Sequence, residues 1–147
     1  MYKKILVATD GSTLSKKAVT HAISLAQLSG AELVALKVVP RYPQSYFEGG
    51  MVLPASDVGR IEKQWMEHSQ TIVDAVAKSG TAKGVIVKAI TSKSDLVSDA
   101  IIAAAKKHKC DLIVMASHGR NGVKRLLLGS ETQLVLTHST IPVLVLR

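Results

Sequence analysis

Apolar positions follow two rhythms along the chain. Short apolar runs occur at Lys4–Thr9, Glu32–Val39, Val85–Ile90, Cys110–Met115 and Ile141–Leu146. Each is short and bounded by turn residues, which predicts a strand. Between the runs the spacing changes to three and four. Leu14, Ala18, Ala22, Leu25 and Leu28 recur at helical intervals, with Lys16, Lys17, Thr20 and Gln27 between them. Ser29-Gly30 stops that helix. Asp57 can cap a second helix, which places Ile61, Trp65, His68, Ile72 and Val76 on one face; His68 is then a histidine at the edge of the core. Gly80 and Gly84 bracket a turn. Ser92 or Ser94 begins a third helix through Leu96, Ala100, Ile101 and Ala104. Its tail, Lys106-Lys107-His108-Lys109, suits the negative end of a helix dipole. Ser130 and Gln133 have capping-box spacing, so a last helix is predicted over Ser130–His138.

Strands alternating with helices of this length imply an α/β fold, with a parallel sheet covered by helices on both faces. Right-handed crossovers limit the strand orders. The 147 residues fit one domain over 1–147 with a single core. Residues 41–56 are the irregular part, with Pro43, Pro54, Gly49 and Gly50. Two readings of this connection are open, a flap and a weakly ordered insertion.

Composition narrows the classes. The aromatics are Tyr2, Tyr42, Tyr46, Phe47 and Trp65, so the core is built from Val, Ile, Leu and Ala. The formal charge of +8 favours anionic partners. Yet the lysines are scattered, no block of five like charges occurs, and few aromatics are available to stack on bases. Most of the charge is therefore read as a solvated face, and a nucleic-acid partner is not expected. No run approaches the roughly 18 apolar residues of a membrane span, so no membrane partner is expected either. The apolar run after Lys3-Lys4 is too short for a signal-peptide core. Cys110 is the sole cysteine and reads as a small buried hydrophobe. A cytoplasmic location is expected.

Several motifs are missing. There is no G-x-x-x-x-G-K-[ST], no G-x-G-x-x-G after the first strand and no G-x-S-x-G elbow. The five histidines show no metal-ligand spacing with Cys110. What remains is Met115 to Ser130, MASHGRNGVKRLLLGS, where a small-residue loop follows an apolar run. Glycine allows positive φ and close backbone approach, and a helix N-terminus offers unpaired N–H donors to an anion. This stretch reads as an anion site or, equally, as turn glycines and a cap.

Gly119, nine intervening residues and then Gly129-Ser130 resemble the ATP-binding signature of the universal stress proteins. The signature has glycine three positions before the first of these, where this chain has Ala116. Tyr2–Ser12 is similar to the family's opening strand and loop, and Ile141–Leu146 to its closing strand. The resemblance thus covers essentially the whole chain. It implies a three-layer fold of the adenine nucleotide alpha hydrolase type, with a five-stranded parallel sheet of order 3-2-1-4-5. In that order a crevice opens at the switch point between strands one and four, where the loops Ala8–Ser12 and Ala116–Gly122 meet.

By the same resemblance, Ala8, Thr9 and Val38 line an adenine pocket with Met115 near them, and Asp10 contacts the adenosine half. Asp10 also fits an Asx-turn or N-cap role. Gly119, Gly129, Ser130, Glu131 and Thr132 surround the phosphates through backbone N–H groups and hydroxyls, next to Ala116. Arg120 and Lys124 either add charge or are simply solvated, and His118 braces the turn. The cofactor implied is ATP, or AMP or ADP, with Mg2+ as an open question. The apolar closing strand lies at the sheet edge in this order, and Pro142 suits an edge. A homodimer through Ile141–Leu146 is expected and agrees with the family habit. No strong catalytic constellation is present, since phosphoryl transfer needs a metal-holding carboxylate and a group that positions the nucleophile. The reading is a dimeric stress-response regulator that reports nucleotide occupancy. The alternatives are a nucleotide-free dimerising module and a slow ATP-hydrolysing or self-phosphorylating protein.

Overall fold

Five parallel strands form one sheet in the order β3-β2-β1-β4-β5. They are β1 (Lys4–Ala8), β2 (Glu32–Val39), β3 (Val87–Lys93), β4 (Leu112–Ala116) and β5 (Val143–Leu146). The helices between them are α1 (Thr13–Ser29), α2 (Ala55–Ala82), α3 (Val97–Lys107) and α4 (Ser130–His138). The computed structural model describes residues 1–43, 53–119 and 128–147. Most of the irregular 41–56 connection, and with it the choice between flap and insertion, lies outside the described residues. So do Arg120, Gly122, Lys124 and Arg125.

Strand alternation divides the core in two. Ile5, Val7, Leu33, Ala35, Leu112 and Val114 pack with residues of α1 and α2. Leu6, Val34, Leu36, Val38, Ile113 and Met115 pack with α3 and with Val135 of α4. The central strands read as continuous apolar runs because both faces are buried. Among the described residues no helix is long and apolar enough to cross a membrane. Cys110 is buried, and burial is the main reason its thiol is pushed up to about 11.

The local signals succeed where the deciding contact is local. Ser12 caps α1 by accepting from the Ser15 N–H at 3.2 Å, and Gly30 ends it at φ 70°. Elsewhere the structure corrects the sequence reading. Asp57 does not cap α2; the helix begins at Ala55 after Pro54, and Asp57 sits in its first turn. His68 is exposed, and the inward stripe of α2 is Ser69, Val73, Val76 and Gly80. Gly80 is not a turn residue but lies inside α2, where an added Cβ would stand 2.4 Å from Val87 Cγ2. The turn is carried by Gly84 at φ 76°. β3 therefore starts two residues later than expected and runs three further. Neither Ser92 nor Ser94 caps α3, whose N-cap is Leu96. Ser130 is the first residue of α4 rather than its cap; Gly129 is the N-cap, and Gln133 Nε2 donates to Leu128 O at 3.0 Å instead of closing a capping box.

Candidate functional site

β1 and β4 are neighbours, yet the chain leaves them toward different partners, β2 on one side and β5 on the other. A cavity of about 620 Å³ opens there, at the carboxyl ends of the strands. It is lined by Ala8, Thr9, Asp10, Val38, Met115, Ala116, Gly119, Gly129, Ser130, Glu131 and Thr132. The residues expected to line the adenine pocket and surround the phosphates are thus brought to one space, apart from Arg120 and Lys124, which lie outside the described residues. Leu36, Lys37, Val97, Ile101, Ser15, His118 and Leu128 line it too. Leu36 was findable, since it shares the strand face of Val38. Val97 and Ile101 are one helical turn apart at the start of α3, a spacing that marks a face but not which space it faces.

The two corners are built differently. After β1, Gly11 takes φ 80° and Asp10 Oδ1 accepts from the Ser12 N–H at 2.9 Å. This is an Asx-turn, so Asp10 shapes the loop while also lining the cavity. Thr9 is buried, its Oγ1 lies 3.0 Å from Ser15 Oγ, and it accepts from the Gly11 N–H. After β4, Ser117 N–H donates to Leu146 O at 2.7 Å and Ser117 O accepts from the Gly129 N–H at 2.7 Å. Thr132 Oγ1 donates to Ala116 O at 2.9 Å and lies 3.2 Å from Ser117 O. These bonds draw the start of α4 against the end of β4.

Several expected roles change. Gly129 spends its N–H on Ser117, and its value is space: a Cβ there would stand 3.1 Å from Ser117 O and 3.4 Å from His118 Cα. Gly119 is likewise chosen for proximity, since a Cβ would stand 3.0 Å from Asp10 Oδ2. Neither glycine has positive φ. The buried Thr132 hydroxyl is committed to backbone carbonyls, so it does not face a ligand. Glu131 Oε2 accepts from the Ser98 N–H at 2.9 Å, capping α3 from another helix. His118 braces the turn, with Nδ1 2.9 Å from Ser117 Oγ; its Nε2 is buried and unpartnered among the described residues. Ala116 lies within β4 without positive φ, and its methyl joins the α1-side core. The alanine therefore imposes no backbone strain.

The arrangement has a chemical polarity. Leu36, Val38, Val97, Ile101 and Met115 make one end apolar. At the other end, the N–H groups of Ser130, Glu131 and Thr132 precede the first intrahelical bond of α4, from Gln133 N–H to Gly129 O at 3.0 Å. Such donors at a helix N-terminus attract an anion.

The universal stress protein family model matches residues 1–147. A universal stress protein of Methanocaldococcus jannaschii is 37% identical, over 100% of this chain and 83% of that protein. The structure of UspA from Lactobacillus plantarum superposes with a TM-score of 0.84 at 28% identity, covering 99% of this chain and 98% of that one. A universal stress protein solved in complex with cAMP gives a TM-score of 0.72 at 28% identity, covering 99% and 97% of the two chains. With the strand order, the cavity at the switch point and a family match from end to end, the chain belongs to the universal stress protein family.

Proposed function

We propose that this chain binds ATP or another adenine nucleotide in the cavity between β1 and β4, and that it acts as a dimeric, cytoplasmic stress-response regulator. One observation carries the reading: a single cavity of about 620 Å³ joins an apolar slot to the open N-terminus of α4. That volume suits a small-molecule ligand. The base lies between Val38, Met115 and the α3 residues Val97 and Ile101. The phosphates meet the first N–H groups of α4 and the backbone at Gly119. The relative that holds cAMP supports an adenine nucleotide as the ligand class.

Mg2+ keeps several waters and binds through one or two carboxylates plus phosphate oxygens. Asp10 offers a carboxylate at the cavity. Among the described residues no group of three or more His, Cys, Asp or Glu side chains could hold an ion unaided. The ion would therefore come with the nucleotide.

The dimer is proposed through β5, which pairs with β4 on one side only and whose four residues are half-buried. An apolar edge strand is a template for a second copy.

Titration calorimetry with ATP, ADP and AMP tests the ligand. Saturable heat is expected, and its absence at millimolar nucleotide would remove the reading. Native mass spectrometry tests the dimer. Val145→Lys is expected to give a monomer, and a dimer that persists in this variant would refute pairing through β5.

A further inference from the structure

We propose that the end of the sheet opposite the cavity, built from Lys4, Lys88, Lys107 and Lys109 around His108, binds the phosphate backbone of duplex nucleic acid without reading its sequence. These cations are dispersed in the chain and gathered by the fold. Lys4 opens β1 and alternates with Leu6, so it shares the α3 face of the sheet. Lys88 is in register with Val34 and two residues from Ile90, both packed on that same side. β1 and β3 are two strand spacings apart, about 10 Å. α3 runs back across this face from the cavity, where Val97 and Ile101 lie, and delivers its last turn to the same edge.

The charge there is cancelled only in part. Glu32 pairs with Lys4 at 3.5 Å. Asp111 accepts the N–H groups of Lys3 and Lys4 at 2.8 and 3.2 Å. Among the described residues, Lys88, Lys107 and Lys109 have no salt bridge, and all three are exposed. His108 reports their convergence: burial lowers its pKa first, followed by the positive charges of Lys88, Lys107 and Lys4.

Lys109 supplies a second, independent observation. α1 and α3 end in the same way. Gly30 at φ 70° precedes the bond from Ala31 N–H to Ala26 O, and Lys109 at φ 57° precedes the bond from Cys110 N–H to Ala105 O. That left-handed position favours glycine, and an L side chain there costs roughly 1 kcal/mol. In α3 the position is held by a lysine that directly follows His108.

Chemistry selects the partner. The edge carries lysines and no arginine fork. Lysine meets phosphate as a point charge, whereas paired recognition of carboxylates favours arginine. Tyr2, the aromatic nearest in sequence to Lys4, packs into the core on the other face, which offers no stacking platform for single strands. Stable membrane attachment generally needs an inserted anchor beside a polybasic patch; at the entries of β1 and β3 the exposed large apolar side chains are Met1 and Ile86, single residues on separate strands. A regular array of phosphodiesters remains the best match.

The test is fluorescence anisotropy with a mixed-sequence duplex of about 30 base pairs, titrated between about 50 and 200 mM salt. With about three phosphate contacts, from Lys88, Lys107 and Lys109, affinity should fall roughly 40-fold over that range. The double variant Lys88→Gln/Lys107→Gln should flatten the salt slope by about 2. Lys109→Gly should weaken duplex binding while raising Tm, a combination that impaired folding cannot produce. Both variants should keep wild-type binding of ATP, so this outcome is independent of the function proposed above. The proposal is overturned by a wild-type protein that ignores the duplex at low salt. Variants that bind the duplex like wild type would overturn it too, as would retention on phosphatidylserine vesicles but not on the duplex.

Discussion

At the carboxyl ends of β1 and β4, the backbone at the start of α4 presents the positive end of a helix dipole, with Lys37 also on the cavity wall. The N–H groups of Ser130, Glu131 and Thr132 stand in a cavity beside Gly119 and Gly129. At the amino ends of β1 and β3 positive charge is carried by ammonium groups on exposed side chains. The contrast separates two ways in which one sheet can present positive charge. Backbone donors are fixed by the fold and need empty space, so the sensitive residues are small. Lysines need only placement, so the sensitive quantity is ionic strength, which screens exposed charges strongly. A change that adds volume should damage the first end, and a change that removes charge should damage the second.

The largest expected effect breaks the cavity end alone. Gly129→Val places a branched side chain against Ser117 O and His118 Cα, which are backbone atoms and cannot step aside. Affinity for ATP should fall about 100-fold, roughly 2.7 kcal/mol, by calorimetry, while duplex binding is kept. Next is Gly80→Ala, which tests the support beneath β3. Its methyl would overlap Val87 Cγ2, so unfolding in urea should show a loss of about 1–3 kcal/mol, and the placement of Lys88 should loosen with it. A smaller reciprocal pair sharpens the comparison of helix ends. Gly30→Ala should cost about 1 kcal/mol and Lys109→Gly should return about as much, read as shifts of the denaturation midpoint.

The smallest effect is a pH dependence at His108. Its folded pKa lies below the ordinary 6.5, so the unfolded chain takes up the proton first as pH falls. The stability this group contributes is therefore complete above 6.5 and is lost as pH falls through the folded value. In His108→Gln that part of the acid-side decline should disappear from midpoints measured at successive pH values. A variant with an unchanged pH profile would show that neither burial nor the neighbouring lysines depress the ring's pKa.

The legible parts of the molecule were those fixed by neighbours in sequence. β2 and α4 have the predicted bounds, because apolar runs and helical periods suffice there. Strand order and the cavity residues came through resemblance to a family, which carries tertiary information that periodicity lacks. The misreadings share one cause, a contact from far away. Ser92 and Ser94 are good caps by type, but α3 is capped by Glu131 from α4. Gly80 looks like punctuation, but it is the flat spot on α2 that lets Val87 approach. His68 reads as a core-edge residue from the large apolar residues around it. The close helix–sheet approach turns small Ser69 inward instead and leaves Ile61, Trp65 and Ile72 half-covered. The basic edge was illegible for the same reason, since Lys4, Lys88 and Lys107 become neighbours only through strand register and the return of α3.

The 2.7 Å bond between the Gly129 N–H and Ser117 O joins the two stems of the stretch that separates β4 from α4. Thr132 holds Ala116 and Ser117 as well, a second tie between the same two elements. The end of β4 and the start of α4 are therefore fastened to each other by backbone and hydroxyl bonds, so the position of the helix mouth is set by the scaffold.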